Sequence, residues 1–334
     1  MRKARRNGKG EESAMGLFLF LFVIICLTAP YGSLAWGSEE PYPNRPVTII
    51  VNYAPGGTID THAKIVGDKL SEILGQPFIR VHKPGGGGTL GASLAAKAKP
   101  DGYTLFLATS ANLMLAPTMK KVDYTWEDFM PLATLSKGAV NLYVRSDAKW
   151  KTLQDFVQEA KTRPLNVTSY GKFTHADIVI EVFNKLAGIK LAHVPYKNCV
   201  EAATPLLGGH VDADFCTSSM GQMDAGTLRI LAVADFERSK IYPDVKTFKE
   251  LGYPIAFPMY YSICAPQKTP KHVVEILGNA LREMNKRNAK EINSILLNME
   301  LHPYFLDSEQ SLQDFKREYD VVSRTVKEFG MVEK

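Results

Sequence analysis

The chain has 334 residues, 45% of them hydrophobic, and a formal net charge of +5. Five of its 40 basic residues and two of its 35 acidic residues lie in the first 35 positions, so the rest carries 35 basic against 33 acidic. This near balance gives no electrostatic reason to expect nucleic acid as a partner. The remaining length is enough for two domains of roughly 100–200 residues each.

Residues 1–35 have the three parts of a secretory signal peptide. A basic start, MRKARRNGKGEES, precedes the apolar run AMGLFLFLFVIICLTAP, and small residues follow. The apolar run is short for a membrane-spanning helix, which needs about 20 residues. We therefore expect cleavage after Ala35 and export to the periplasm, with an uncleaved N-terminal anchor as the alternative. No other long apolar run occurs, so the mature protein is expected to be soluble.

The first regular unit reads as strand, glycine turn and helix. The run VTIIV at 47–51 suits a buried strand, and Ala54-Pro55-Gly56-Gly57 interrupts it. A helical apolar pattern then continues to Leu74, with Gly75 as its stop. Glycines let the backbone approach a ligand, and the free N–H groups of a helix start attract anions. The turn Tyr53–Asp60 is therefore a predicted anion site; an ordinary strand-to-helix turn is the alternative.

Strands and helices then alternate, which predicts parallel sheet covered by helices on both faces. Further strands are predicted at 78–82, 103–108, 140–144, 165–168, 191–194, 211–215 and 228–234. Helices are predicted at 90–97, 153–160, 199–207, and within 243–252, 273–284 and 311–322. Thr109 and Ser110 follow the carboxyl end of the strand at 103–108.

A second polar turn opens a helix at residues 169–175. Ser169-Tyr170-Gly171-Lys172-Phe173-Thr174-His175 follows a predicted strand, and apolar residues then recur on one helical face as far as a stop at Gly188. This unit repeats the order of the first one, so it predicts a second anion site.

The remaining chemistry-bearing residues do not predict a metal or cofactor site. No histidine pair occurs at i, i+4 and no Cys-x-x-Cys occurs. Cys199, Cys216 and Cys264 are too few and too scattered for a disulfide framework, but a Cys199–Cys216 bridge stays open in an oxidising compartment. Because no trio of acid, base and nucleophile can be assembled from the sequence, an enzyme is not predicted.

Sequence blocks spread from Tyr42 to the end resemble the Bug family, the extracytoplasmic solute-binding receptors of tripartite tricarboxylate transporters. In order they are YPNRPVTIIVNYAPGGTID, KPGGGGTLGASLAAKAKPDGYTLFLATS, LAHVPYK, LLGGHVDADF, LRILAVADFERSKIYPDVKTFKELGYP and APQKTP. Each block alone is weakly specific, whereas their combination in this order is highly specific.

The resemblance implies an α/β protein of the type II periplasmic-binding-protein fold, with a ligand cleft between two lobes. Crossings between lobes are placed near Gly138–Tyr143 and Tyr260–Cys264. Lobe 1 is then 42–139 plus 263–334, and lobe 2 is 140–262. The implied function is to capture a small organic carboxylate and deliver it to integral-membrane permease subunits. We expect a monomer; a ligand-loaded sensor partner of a membrane receptor is the alternative.

The family grips a carboxylate between two turns with backbone N–H groups, hydroxyls and ordered water. The ligand-binding residues predicted on this basis are Tyr53, Gly56, Gly57, Thr58, Asp60, Ser110, Ser169, Tyr170, Thr174, His175, Cys216 and Thr217. The family commonly has Asp-Asn where this chain has Cys216-Thr217. Since cysteine and threonine cannot balance a ligand ammonium, we expect a carboxylate with an uncharged body. Asp60 is expected mainly to cap its helix.

Overall fold

The computed structural model describes residues 41–332, so the predicted signal peptide lies outside the described residues. Eleven strands occur within that range. They are β1 (Val47–Val51), β2 (Phe78–His82), β3 (Thr104–Thr109), β4 (Phe129–Gly138), β5 (Asn141–Arg145), β6 (Leu165–Ser169), β7 (Leu191–Pro195), β8 (Ala213–Cys216), β9 (Leu228–Val233), β10 (Met259–Pro266) and β11 (His302–Leu306).

The helices connect and cover these strands. They are α1 (Thr58–Leu74), α2 (Thr89–Ala96), α3 (Ala116–Met119), α4 (Leu153–Thr162), α5 (His175–Ala187), α6 (Cys199–Leu207), α7 (Met220–Asp224), α8 (Lys271–Asn298) and α9 (Ser308–Glu328), with a π-helical turn at Ala111–Leu115. Between residues 41 and 332, none of the helices combines the length and the apolar character needed to cross a bilayer.

The strands form two sheets. The first has the order β11-β4-β10-β3-β1-β2, in which β1, β2 and β3 are parallel and β10 runs antiparallel to both of its neighbours. The second has the order β7-β6-β8-β5-β9, with a parallel β7-β6-β8 part. Because parallel neighbours need crossover connections, helices cover both sheets, as predicted from the alternating pattern.

Local signals in the sequence fix several of the element ends. Gly75 follows α1 in the left-handed conformation, with φ of 70°, and Gly188 ends α5 in the same way. The Thr152 side chain accepts a hydrogen bond from the Asp155 amide, forming a capping box at the start of α4. Both kinds of signal act within one turn of a helix, so they can be identified without knowledge of the tertiary structure.

The chain passes between the sheets twice. The first passage is the two residues between β4 and β5, inside the predicted crossing Gly138–Tyr143. The second was predicted near Tyr260–Cys264; those residues lie within β10 and pair with β3 and β4 of the first sheet. The preceding segment stays beside the end of β9, since Thr247 pairs with Val233 and the Phe257 amide donates to the Ala234 carbonyl, so the chain passes over just before Met259.

Other differences concern strands and one helix. The sequence did not predict β4, β10 or β11, and the helix predicted within 243–252 is wrong. That segment forms turns in which the Glu250 carboxylate accepts the Thr247 amide and the Glu250 amide donates to the Thr247 hydroxyl. The pair closes a single turn, because the Gly252-Tyr253-Pro254 sequence that follows does not continue a helix.

Candidate functional site

A cavity, called the cleft cavity below, lies where connections from both sheets meet, at the carboxyl ends of β1, β3, β6 and β8. Ligands of α/β proteins bind at this end of the strands. The cavity has a volume of about 40 Å³, against the roughly 10–15 Å³ that one water needs. It is lined by Tyr53, Gly57, Thr58, Ile59, Thr109, Tyr170, Asn198, Cys199, Thr217, Met259 and Tyr261. None of these side chains carries a formal charge, so recognition here depends on neutral donors and apolar contact.

The start of α1 is the strongest anion-binding feature of the cavity. Gly57 is the N-cap residue, and no side chain caps the helix. The first turn therefore presents its amide groups beside the cavity wall formed by Gly57, Thr58 and Ile59. Unpaired amides and the helix dipole favour a negative charge at this position.

Asp60 lies in the first turn of α1 but does not line the cavity. Its Oδ2 accepts a hydrogen bond of 3.0 Å from the Gly56 amide, and its Oδ1 contacts Arg80 and, at 2.8 Å, His82 Nε2. Burial alone would raise the pKa of Asp60, but the Gly56 amide, His82 and Arg80 together hold it below the ordinary value. The carboxylate therefore fixes the turn from behind.

His62 supports the first turn of α1 from the other side. Its Nδ1 donates to the Thr58 carbonyl at 3.0 Å, and its Nε2 lies 2.7 Å from the Ser136 hydroxyl, whose proton it accepts. Its ring stacks on Tyr261, with 4.5 Å between ring centres. Burial lowers the pKa of His62 to about 4, so the ring is neutral near pH 7. The sequence analysis did not identify this role.

The second predicted turn contributes less directly. Tyr170 lines the cavity, and its hydroxyl lies 3.6 Å from the Met259 sulfur. Thr174 is fully buried and uses its hydroxyl to cap α5, accepting from the Asp177 amide and donating to the Gly171 carbonyl at 2.8 Å. The Thr174 hydroxyl is thus engaged within its own turn.

A third strand-to-helix connection completes the cavity. Asn198 caps α6 by accepting the Glu201 amide at 2.8 Å, and both Asn198 and Cys199 line the cavity. Cys199 forms a disulfide with Cys216, which is the pairing that the sequence analysis left open. Cys216 is fully buried and offers no thiol to a ligand, whereas Thr217 next to it does line the cavity. The Asn-x-x-Glu capping signal after β7 is the sequence feature that could have identified this connection.

His175 lines a different cavity, and Ser110 contacts His175 without lining either cavity. The Ser110 hydroxyl lies 3.3 Å from His175 Nε2, and His175 lines a second cavity together with Glu318 of α9. The structure therefore separates these two residues from the cavity that contains Tyr53, Gly57, Thr58, Tyr170 and Thr217. Gly56 and Ser169 flank that cavity without lining it.

An acid, a base and a hydroxyl do come together, contrary to the sequence analysis. His193 Nε2 lies 2.6 Å from the Ser169 hydroxyl, and His193 Nδ1 lies 3.1 Å from Asp177 Oδ1, although not in hydrogen-bond direction. Ser169 is fully buried, accepts the Gly171 amide at 3.1 Å and does not line the cleft cavity. Because the Ser169 hydroxyl contacts both the amide of Gly171 and, at 3.3 Å, its carbonyl, the trio holds the Tyr170–Gly171 turn in place.

Known proteins are similar to this chain in architecture and in sequence. A family profile described as "Tripartite tricarboxylate transporter family receptor" matches residues 62–331. Protein BugT of Bordetella pertussis is 31% identical over 280 residues, which are 80% of this chain and 85% of that protein. A solved periplasmic transporter superposes with a TM-score of 0.81 and 32% identity, over 87% of this chain and 99% of its own.

A further solved structure is MatC of Rhodopseudomonas palustris with bound malate. It superposes with a TM-score of 0.77 and 26% identity, over 85% of this chain and all of its own. The matches extend over both sheets and confirm the two-lobed periplasmic-binding-protein fold. The chain therefore belongs to the tripartite tricarboxylate transporter receptor family, as its resemblance to the Bug proteins predicted.

Proposed function

We propose that this protein captures a small organic carboxylate between its two lobes, with the ligand carboxylate at the start of α1. The observation that carries this proposal is the uncapped N-terminus of a 17-residue helix at the wall of a cavity between the two sheets. The hydroxyls of Thr58, Thr109 and Thr217 supply further neutral donors around it. MatC, a structural relative, binds malate, which supports the same ligand class.

The rest of the ligand is expected to be uncharged. The cavity has no acidic side chain to balance an ammonium group, and a desolvated unpaired ammonium loses several kcal/mol. Tyr53, Tyr170 and Tyr261 provide aromatic walls against which an alkyl or aromatic body can pack. The body must be small, or the lobes must open further to accept it.

We infer the cellular role from the family together with the N-terminal sequence. The protein is exported by a cleaved signal peptide, acts as a monomer and delivers its ligand to integral-membrane permease subunits. The proposed role includes no cofactor and no chemical conversion of the ligand. A role as ligand-loaded partner of a membrane sensor would use the same site.

A thermal-shift panel of carboxylates tests the proposal. At about one hundred times its dissociation constant, a ligand stabilises the folded protein by roughly 2.7 kcal/mol, which raises the melting temperature by several degrees. Carboxylates with uncharged bodies should give hits, whereas aspartate and glutamate should not. Mass spectrometry of a bound hit after incubation should recover it unchanged.

A matched pair of threonine variants locates the binding. Thr217→Val removes a cavity hydroxyl and should weaken a hit by about three- to tenfold, the usual range for one neutral hydrogen bond. Thr162→Val changes an exposed residue of α4 and should leave affinity unchanged. Tight binding of an α-amino acid, or no carboxylate hit at all, would contradict the proposed ligand class.

A further inference from the structure

The second cavity is separate from the cleft cavity and is larger, with a volume of about 110 Å³. Its lining shares no residue with that of the cleft cavity. Alternation along β10 explains the separation, because Met259 and Tyr261 line the cleft cavity while Tyr260 between them lines the second one. His175 reaches it from α5, and Glu318 and Val321 reach it from α9.

The carboxylate of Glu318 lies in this cavity without a hydrogen-bond donor. Its side chain is 10% exposed, and both of its oxygens are buried without a hydrogen-bond partner in the described part of the chain. An unpaired buried carboxylate costs several kcal/mol, so native structures provide such a group with a partner or an ion. The carboxylate is therefore the feature of this cavity that calls for an explanation.

The neighbouring protein groups donate no hydrogen bond to the Glu318 carboxylate. His175 Nε2 is 3.6 Å from Glu318 Oε1, within ion-pair distance but beyond hydrogen-bond range, so both carboxylate oxygens remain without a donor. The Ser110 hydroxyl accepts the Tyr260 amide at 3.1 Å and lies 3.3 Å from His175 Nε2, so it contacts the same ring nitrogen that faces Glu318. Arg317, the other cation at the cavity, contacts Asp314.

The remaining walls favour an organic cation over a metal ion. Phe236, Phe257, Val321 and Val322 give the cavity a mainly apolar surface that cannot ligate a metal. Within residues 41–332, no group of three or more metal-ligating side chains comes together. Asp314, the other carboxylate at the cavity, is already paired with Tyr304 and Arg317. An apolar wall beside one unpaired buried carboxylate is instead complementary to an alkyl chain that ends in a charged donor.

We propose that this second cavity binds a small primary alkylammonium ion, with the ammonium group on Glu318 and the alkyl chain against Phe257 and Val321. An ammonium has three N–H donors, enough to satisfy both carboxylate oxygens and to balance the charge. His175 belongs to the lobe of the second sheet, whereas Glu318 lies on α9, which packs against β4 of the first sheet. The bound ion would therefore contact both lobes.

Isothermal titration of the purified protein with butylammonium chloride tests the site. The controls are 1-butanol, which has a matching chain without charge, and sodium chloride at equal ionic strength. Saturable binding of butylammonium alone is expected. Hydrogen bonds to a charged group are stronger than neutral ones, so Glu318→Gln should weaken binding about tenfold or more.

Two more variants keep the test decisive. Glu309→Gln removes an exposed carboxylate from the same helix and should leave the affinity unchanged. Val321→Phe fills the cavity without altering its charge and should also weaken binding about tenfold, which covers the case in which Glu318→Gln misfolds. Absence of saturable binding, equal binding of 1-butanol, or unchanged affinity in both cavity variants would overturn the proposal.

Discussion

Asp60 is an acidic side chain beside a predicted anion site, and its contacts explain why it does not repel a ligand. Its Oδ2 accepts the Gly56 amide, and its Oδ1 contacts Arg80 and His82 of β2. The negative charge is thus balanced on the side away from the cavity. The sequence analysis expected Asp60 mainly to cap its helix; in the structure its carboxylate accepts the amide of Gly56, the residue before the N-cap Gly57, so it fixes the turn that leads into α1.

Replacing Asp60 by alanine should lower stability with little effect on ligand affinity. Loss of a helix-terminal carboxylate of this kind costs on the order of 0.5–2 kcal/mol. Because the folded pKa of Asp60 is below its ordinary value, its contribution is present above pH 4 and is lost as the pH falls further. Urea unfolding at pH 7 and pH 3 should show the variant and the parent converging at the lower pH.

The matched control for this prediction is Asp68→Ala, an exposed aspartate later in α1 that pairs with the exposed Lys64. An exposed i, i+4 pair contributes about 0.3–0.5 kcal/mol, so a smaller loss is expected there. If Asp60→Ala retained full stability and lost carboxylate binding, Asp60 would be a ligand contact.

At the scale of elements, the sequence predicted the units whose signals are local. The run VTIIV, the left-handed glycines after α1 and α5, and the Thr152 cap each act within a few residues, so β1, the two helix ends and α4 were identified. β4 was not predicted, because FMPLATLSKG alternates neither cleanly nor continuously and contains Pro131. Its strand conformation depends on pairing with β10 and β11.

In the 243–252 segment, by contrast, the sequence predicted a helix that does not form. Val245, Phe248 and Leu251 have helical spacing, yet the chain forms only separate hydrogen-bonded turns there and no helix. For the cleft cavity, the sequence predicted the lining residues that belong to glycine turns but not those of β10. Glycine turns show their positions in the sequence, whereas Met259 and Tyr261 reach the cavity only through the antiparallel insertion of β10 between β3 and β4.

The Cys199–Cys216 disulfide joins two elements of the cleft cavity, the start of α6 and the end of β8, over a sequence separation of 17. A loop of about this length is expected to contribute roughly 3 kcal/mol by restricting the unfolded chain. The double variant Cys199→Ala, Cys216→Ala should therefore unfold at lower urea concentration. Reduction of the parent protein should reproduce this loss.

Reductant supplies the control for the disulfide prediction. It should not change the unfolding midpoint of the double variant, because Cys264 is the only other cysteine in the described range and is buried without a disulfide. Ligand affinity should also fall in the double variant, since Asn198 and Cys199 line the cavity. An unchanged midpoint after verified reduction would contradict the stabilising role.

For the whole molecule, the main question is how a ligand enters. The cleft cavity of about 40 Å³ holds only a few waters on the scale of roughly 10–15 Å³ for each. A carboxylate with a body of several carbon atoms therefore requires the lobes to separate. The two passages between the sheets, residues 139–140 and the residues just before Met259, are the segments about which we propose that this motion occurs.

Contacts at the mouth of the cleft are expected to form only on closure. Gly87 of the first lobe, with φ of 70°, approaches Lys172 of the second so closely that an added Cβ would lie 2.5 Å from the Lys172 carbonyl oxygen. Lys120 of the first lobe lies over the Phe173 ring, 4.4 Å from its centre. Any side chain at position 87 would therefore hold the lobes apart.

Small-angle scattering with and without a saturating carboxylate should detect this closure as a smaller radius of gyration in the bound state. Gly87→Ala should abolish the decrease and weaken the ligand, because the methyl group meets backbone rather than a flexible side chain. Gly226→Ala is the matched control: Gly226 has nearly the same φ, 67°, but an added Cβ there has no atom within 4 Å. Backbone strain should thus be similar in the two variants, and only the clash across the cleft should differ. A radius that does not change with ligand in the parent protein, or the same decrease in Gly87→Ala, would show that the ligand enters without closure of the lobes.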